Sequence, residues 1–462
     1  MITYVSTRGQ AGRRSFEEVL LAGLAEDGGL FVPETWPAFS PAELRAMRGL
    51  DYPALAARLL APFTQGCFDH DELLTLARRA YGGFDHAATA PLRHLGGDRW
   101  LLELFHGPTL AFKDFAMQLL AAMFDAVLAR RGEQLTIVGA TSGDTGAAAV
   151  HAFAGKGQIR IAMLHPEGRV SPVQRRQMTT VMAGNVLNLA LKGDFDDCQD
   201  LVKAMFADAG FRTRMRLSAV NSINWARVVA QAVYYVWAGL RLGAPDRPVA
   251  FCVPSGNFGN VYAGRVAAAL GLPVAKLVVA TNENDILARF LASGEYRRGT
   301  AVPTTSPSMD IQVASNFERL LLELDGHDAA RTRARMQALG QSGGFTVEGP
   351  VPDLFAGGSA DQAEVARTIA RTLEATGDLV DPHTGVGLAV AARQELPPGL
   401  PLVTLATAHP AKFPEAVEAA CGVAPRLPQR YAGLMSAPER CRPVVNDLAA
   451  VQSIISETFG AA

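Results

Sequence analysis

Lys113 lies in the run His106-Gly107-Pro108-Thr109-Leu110-Ala111-Phe112-Lys113-Asp114-Phe115, flanked by two phenylalanines. Only six of the 43 basic residues are Lys, so Arg carries the ordinary surface charge and this Lys needs a reason of its own. Arg stays protonated and cannot serve as an amine nucleophile, whereas Lys can lose its proton when desolvated. An apolar setting lowers the pKa of a Lys and frees its amine to condense with a carbonyl. The same run also suits a Lys that snorkels outward from a helix start. Taken alone, it leaves both readings open.

Three loops offer complementary chemistry. Pro254-Ser255-Gly256-Asn257-Phe258-Gly259-Asn260 sets two Gly, a Ser and two Asn before a helix start. Such a loop supplies free backbone N–H groups and the positive end of a helix dipole, which are the needs of a phosphate cradle. A tight strand-to-helix turn has the same composition. Thr141-Ser142-Gly143-Asp144-Thr145-Gly146 is similar but carries an acid. Asp144 is either an N-cap or part of a site in which Thr141, Ser142 and the loop amides hold a zwitterionic or hydroxyl-bearing ligand. Thr407-Ala408-His409-Pro410-Ala411-Lys412 brings a neutral hydroxyl at Thr407 and a Lys that either pairs with a ligand phosphate or stands solvated at a turn. A pyridine nitrogen facing Thr407 would stay largely unprotonated, because no carboxylate supports the charge. His106, His165, His383 and His409 show no metal-ligand spacing, so no metal is expected. A Schiff-base Lys and a phosphate cradle together are the two needs of pyridoxal phosphate.

These loops need a scaffold. The chain has 462 residues, which suggests two or three domains. With 49% hydrophobic and 19% charged residues it has globular composition. A net charge of −2 gives no footprint for nucleic acid. Five Cys with no Cys-x-x-Cys pair fit unpaired thiols in a reduced compartment. Residues 1–9 lack a secretory apolar region. The apolar stretch Val228 to Leu240 is too short to span a bilayer and reads as a buried helix. The expectation is a cytoplasmic protein with a small-molecule substrate, no nucleic acid and no membrane partner, as a monomer or homodimer.

Up to about residue 95 the pattern is helical: Ser15 to Leu24, Pro41 to Arg48, Tyr52 to Leu60 and Asp69 to Tyr81. Beyond it, short apolar strands, Gly-rich turns and helices alternate, which is the α/β pattern of mostly parallel strands. Strands are expected at Leu135 to Gly139, Val249 to Val253 and Leu402 to Ala406, each followed by one of the three loops and a helix. Ligands of open α/β sheets bind at the carboxyl ends of strands. Asp325 to Gly377 reads as peripheral helices and connections.

With these residues in hand, the chain resembles the threonine synthase family, pyridoxal-phosphate enzymes of the tryptophan-synthase-β fold type. The resemblance rests on Tyr4-Val5-Ser6-Thr7-Arg8-Gly9, Phe16 to Leu21, Asp27 to Glu34, His106 to Asp114 and Ser142 to Gly146. It continues through Gly193 to Gln199, Asn221 to Arg227, Ser306 to Ile311 and Ala406 to Phe413, in order, over about residues 4 to 416. The last forty residues or so carry no motif of use.

The resemblance implies a fold-type II architecture of two doubly wound open sheets, in a large and a small domain, with a helix-rich N-terminal domain. It implies residues 1–95 as the N-terminal domain, 96–134 with 225–425 as the large cofactor-binding domain, 135–224 as the small domain and 426–462 as an extension. Lys113 would hold the cofactor and shuttle protons at Cα and Cβ, with Phe112 against the ring. Gly256, Asn257, Phe258, Gly259 and Asn260 would bind its phosphate, and Thr407 would face its ring nitrogen. Thr141, Ser142 and Asp144 would contact the amino-acid substrate. Lys412 would help bind the substrate phosphate, together with side chains from the Ser222 and Ser308 runs. In related enzymes of the fold type an Asn often stands where Asp144 does. The implied reaction turns O-phospho-L-homoserine and water into L-threonine and phosphate. Water must be excluded early and admitted when it adds at Cβ, so domain closure on substrate binding is expected. A phospholyase releasing 2-oxobutyrate would use the same residues.

Overall fold

The computed structural model describes residues 1–219 and 222–460, so Asn221 lies outside the described residues. The chain divides into two compact units: Met1–His106 with Ser222–Pro425, and Gly107–Asn221 with Arg426–Ala462.

The first unit opens with helices Phe16–Ala22, Pro41–Ala46, Tyr52–Leu60 and His70–Tyr81. Their starts are written in the sequence. Ser15 and Ser40 form capping boxes with Glu18 and Glu43, while Asp51 and Asp69 accept from the third amide of their helices. An antiparallel pair, Tyr4–Ser6 with Phe31–Pro33, accompanies them. Three residues per strand are too few to show an alternating pattern. The main sheet has six strands, in spatial order Phe355–Ser359, Val274–Thr281, Val249–Pro254, Leu402–Ala406, Arg99–Glu103 and Leu92–Gly96. Only the last pair is antiparallel. Val249–Pro254 and Leu402–Ala406 are buried at every residue, as strands covered on both faces must be. Helix Trp225–Arg241 is buried through Leu240, matching the reading of that apolar stretch. The edge strand Phe355–Ser359 corrects the expectation of helices and connections across 325–377. Its sequence, Phe-Ala-Gly-Gly-Ser, lacks β-branched residues and gives no local strand signal.

The second unit is built on a parallel sheet in the order Arg442–Val444, Val186–Leu191, Ile159–Pro166, Leu135–Ala140 and Leu217–Ser218. One expected boundary differs here: this unit begins at Gly107 and not at 135. Helix Lys113–Arg131 belongs to this unit rather than with 225–425, and its Phe124 meets Phe153 of helix Asp144–Phe153 at 6.2 Å between ring centroids. The last residues are not an appendage. Arg442–Val444 pairs with Val186–Leu191, and Val451, Ile454, Ile455 and Phe459 of helix Leu448–Phe459 join the cluster around Val138, Ala162 and Leu189. Each large aliphatic side chain so buried contributes about 1.5–3 kcal/mol.

Candidate active site

In the second unit, Lys113 is the first residue of its helix and is buried, which removes the snorkelling reading. Its Nζ donates to Oδ2 of Asp144 at 3.2 Å and lies 5.2 Å from the ring centroid of half-buried Phe112. Asp144 is buried and opens its own helix, with Gly143 in the N-cap position at φ +147°, so Asp144 is not the cap. Its other oxygen, Oδ1, accepts from Gln174 Nε2 at 2.7 Å. Gly143 is fixed by this contact as well, since a Cβ there would stand 2.5 Å from Gln174 Oε1. A buried ion pair overcomes its desolvation only when further hydrogen bonds satisfy both partners, and Gln174 provides one of them. Thr141 Oγ1 accepts from the N–H groups of Gly143 and Gly146 at 3.0 and 2.9 Å, so its oxygen shapes the loop. Ser142 is exposed beside it.

In the first unit, the loop after Val249–Pro254 runs into helix Gly259–Ala269. Among the described residues no acceptor meets the backbone N–H groups of Gly256, Asn257, Phe258, Gly259 and Asn260. Phe258 adopts a left-handed φ of +62°, which turns the chain into the helix. A Cβ at Gly256 would stand 2.8 Å from the Ser308 carbonyl oxygen, so the Ser306 to Ile311 run demands glycine there. Asn316 supports the loop through two bonds to the Asn257 carbonyl, from its N–H at 3.0 Å and its Nδ2 at 3.2 Å. Asn260 is buried and oriented by two phenols. Tyr234 donates to its Oδ1 at 2.5 Å, and the Tyr235 hydroxyl lies 2.9 Å from Oδ1 and 2.7 Å from the Asn260 carbonyl. Burial raises both tyrosine pKa values well above normal, so both stay donors. That leaves Asn260 Nδ2 as a buried donor with no partner among the described residues.

Thr407 is buried just past strand Leu402–Ala406, and Lys412 is fully buried, which removes the reading of a solvated Lys. Between them, His409 Nδ1 accepts from the Ala411 N–H at 3.2 Å. Burial, reinforced by His106, pushes its pKa down to about 4.

Sequence reasoning assigned no role to four features. Gln174 gave no signal beyond its place after the Ser171 cap. Tyr234 and Tyr235 read as apolar helix. His383 donates through Nδ1 to the buried Asp381 at 2.7 Å and accepts from the Ser308 N–H at Nε2, bracing the segment that closes over Gly256. Arg227 is buried in the first turn of helix Trp225–Arg241, with Nε and Nη1 unpartnered among the described residues, and burial pulls its pKa down to about 10. A cation in the first turn of a largely apolar helix was the available signal for it.

A buried amine, an unpartnered amide donor and an open set of loop N–H groups are the donors that the aldehyde and phosphate of pyridoxal phosphate require, so the residues fit that cofactor. The comparisons agree. Residues 3–81 match the family model for the threonine synthase N terminus, 86–351 the model for pyridoxal-phosphate dependent enzymes and 384–455 the C-terminal model of threonine synthase. A threonine synthase of Pseudomonas aeruginosa is 51% identical over 98% of both chains. The crystal structure of pyridoxal-phosphate-bound threonine synthase from Brucella melitensis superposes with a TM-score of 0.98 at 51% identity, covering 100% of both chains. That of yeast threonine synthase gives 0.94 at 37% identity, covering 99% of both. The chain belongs to the threonine synthase family of pyridoxal-phosphate-dependent enzymes.

Proposed function

We propose that the chain converts O-phospho-L-homoserine and water into L-threonine and phosphate. The observation that carries the reading is the buried Lys113 amine held by a carboxylate that a second side chain orients. When bound, pyridoxal phosphate supplies an electron sink for charge developing at Cα of the amino acid. Lys113 Nζ would hold the cofactor and move protons at Cα and Cβ, with Asp144 fixing where that nitrogen points. The N–H groups of Gly256 to Asn260 and the Asn260 amide would take the cofactor phosphate, the Thr407 hydroxyl would face the ring nitrogen, and Phe112 would pack against the ring. Ser142, Asp144 and the Thr141 hydroxyl proton would meet the substrate's amino-acid end. Lys412 and Arg227 would neutralise the substrate phosphate, because a buried unpaired guanidinium is costly until an anion arrives.

A cytoplasmic setting is part of the proposal. It is supported by four cysteines outside any disulfide, Cys198, Cys252, Cys421 and Cys441. The test is an assay on O-phosphohomoserine that measures threonine, phosphate and 2-oxobutyrate together. Threonine and phosphate in equal amounts are expected, and Lys113→Ala should stop their formation. Release of 2-oxobutyrate in place of threonine would overturn the proposal.

A further inference from the structure

The turn that delivers Lys113 is held from outside by the last part of the chain. On its inner face, Asp114 accepts from the Thr109 N–H and the Thr109 hydroxyl, both at 2.7 Å, and Gly107 has no room for a Cβ because Asp114 stands 2.5 Å from that position. Leu110 sits at φ +60°, a left-handed conformation that a bulky side chain keeps only where its surroundings impose it. Part of that imposition comes from the outer face, where three consecutive carbonyls accept side-chain donors from distant segments. Tyr431 donates to Pro108 O at 2.6 Å and lies 3.2 Å from Gly107 O, which also accepts from Arg430 Nη2 at 2.5 Å. Gln177 Nε2 donates to Thr109 O at 3.1 Å. The Arg430 guanidinium in turn covers the Tyr431 ring, 4.7 Å from its centroid.

The segment that bears Tyr431 is tied to the same helix that orients Asp144. From helix Pro172–Thr179, Gln174 reaches Asp144 and Gln177 reaches the Lys113 turn. Arg176 donates to the carbonyl of Ala437 at 3.0 Å, while Thr179 donates to Glu439 at 2.6 Å and accepts the Arg440 N–H at its own carbonyl. Residues 430–440 therefore strap the lysine turn and the carboxylate-orienting helix to one another.

We propose that Tyr431, seconded by Arg430, is a positioning residue for Lys113. This rests on the reading of Lys113 as the cofactor lysine. By fixing the carbonyls of Gly107 and Pro108, it fixes the helix start and so the placing of Nζ against Asp144. The last forty residues, which carry no legible motif, thereby act on the chemistry.

The test uses the full chain loaded with cofactor and the variant Tyr431→Phe, which deletes one hydroxyl, with Arg430→Met as a second variant. For Tyr431→Phe we expect kcat to fall five- to twentyfold with KM within twofold, and amide exchange at 109–113 to speed up at least tenfold while strand 159–166 is unchanged. Arg430→Met should shift both in the same direction by less. A kcat within twofold of the parent, unchanged exchange in the turn, or faster exchange throughout the unit would each overturn the proposal. An inactive parent chain would instead count against the proposed function, and the exchange measurement would still judge the strap.

Discussion

Gln174 donates to one carboxylate oxygen of Asp144 at 2.7 Å, and this leaves the other to Lys113 Nζ at 3.2 Å. The carboxylate is thus divided between an orienting amide and an amine, and neither oxygen is free to swap roles. Hydrogen bonds to charged groups contribute roughly 1.5–3 kcal/mol. Gln174→Met should lower kcat by about tenfold or more, the equivalent of about 1.4 kcal/mol. Gln174→Glu should be worse at pH 8, where two carboxylates would face each other, and should recover part of the loss at pH 6. A kcat in either variant equal to that of the parent would show that Asp144 needs no orienting partner.

Asn260 gives the second prediction. Its Oδ1 is claimed by Tyr234 and Tyr235, which leaves the buried Nδ2 without a partner among the described residues. Tyr234→Phe removes one constraint and should weaken cofactor binding by about five- to tenfold, the share of one ordinary hydrogen bond. Asn260→Asp keeps the phenol contacts but replaces the free donor with negative charge, so the loss should exceed a hundredfold. Cofactor titration of the stripped protein, followed by equilibrium dialysis, measures both. Equal affinities for Asn260→Asp and the parent would remove Asn260 from the phosphate cradle.

These two residues also show what was legible in the sequence and what was not. The three strand–loop–helix units and the buried helix at 225–241 were readable, because apolar runs bounded by Gly-rich turns fix type and rough length locally. Lys113 stood out because Lys is rare in this chain and its neighbours are aromatic. The partners that aim these groups were not readable: Gln174 is 30 residues from Asp144, and Tyr431 is more than 300 from the turn it braces. The edge strand Phe355–Ser359 escaped for a related reason, since what makes it a strand is its parallel neighbour Val274–Thr281 and not its own composition. Buried donors are set by tertiary pairing, which leaves no mark at short range.

Acid should weaken the first unit through His409. Burial, with help from His106 and Lys412 and against Asp381 and Glu103, lowers its pKa from 6.5 to about 4. Above pH 6.5 the ring is neutral folded or unfolded and costs nothing. As pH falls below 6.5 the unfolded chain takes up a proton that the folded one refuses, so stability is lost down to about pH 4. At pH 5 the loss is about 2 kcal/mol relative to pH 7.5. His409→Asn keeps an acceptor for the Ala411 N–H but does not titrate there. Urea midpoints at the two pH values should therefore lie closer together in the variant. An equal drop in both proteins would assign the acid sensitivity to other groups.

Arg227 sets stability against binding. Its guanidinium is buried, unpartnered at Nε and Nη1 among the described residues, and shifted down to about 10 by burial, so the protein without ligand holds a charge that nothing compensates there. Replacing a strained buried charge with an apolar side chain of similar length is often neutral or stabilising. Arg227→Met should therefore melt at or above the parent's temperature when no anion is present. Added inorganic phosphate should then raise the melting temperature of the parent, because a ligand that binds only the folded state stabilises it by mass action. The variant should gain much less, and its KM for the phosphorylated substrate should rise at least tenfold with a smaller change in kcat. A variant that melts lower yet responds to phosphate like the parent would mean that the guanidinium serves packing and leaves the anion to Lys412.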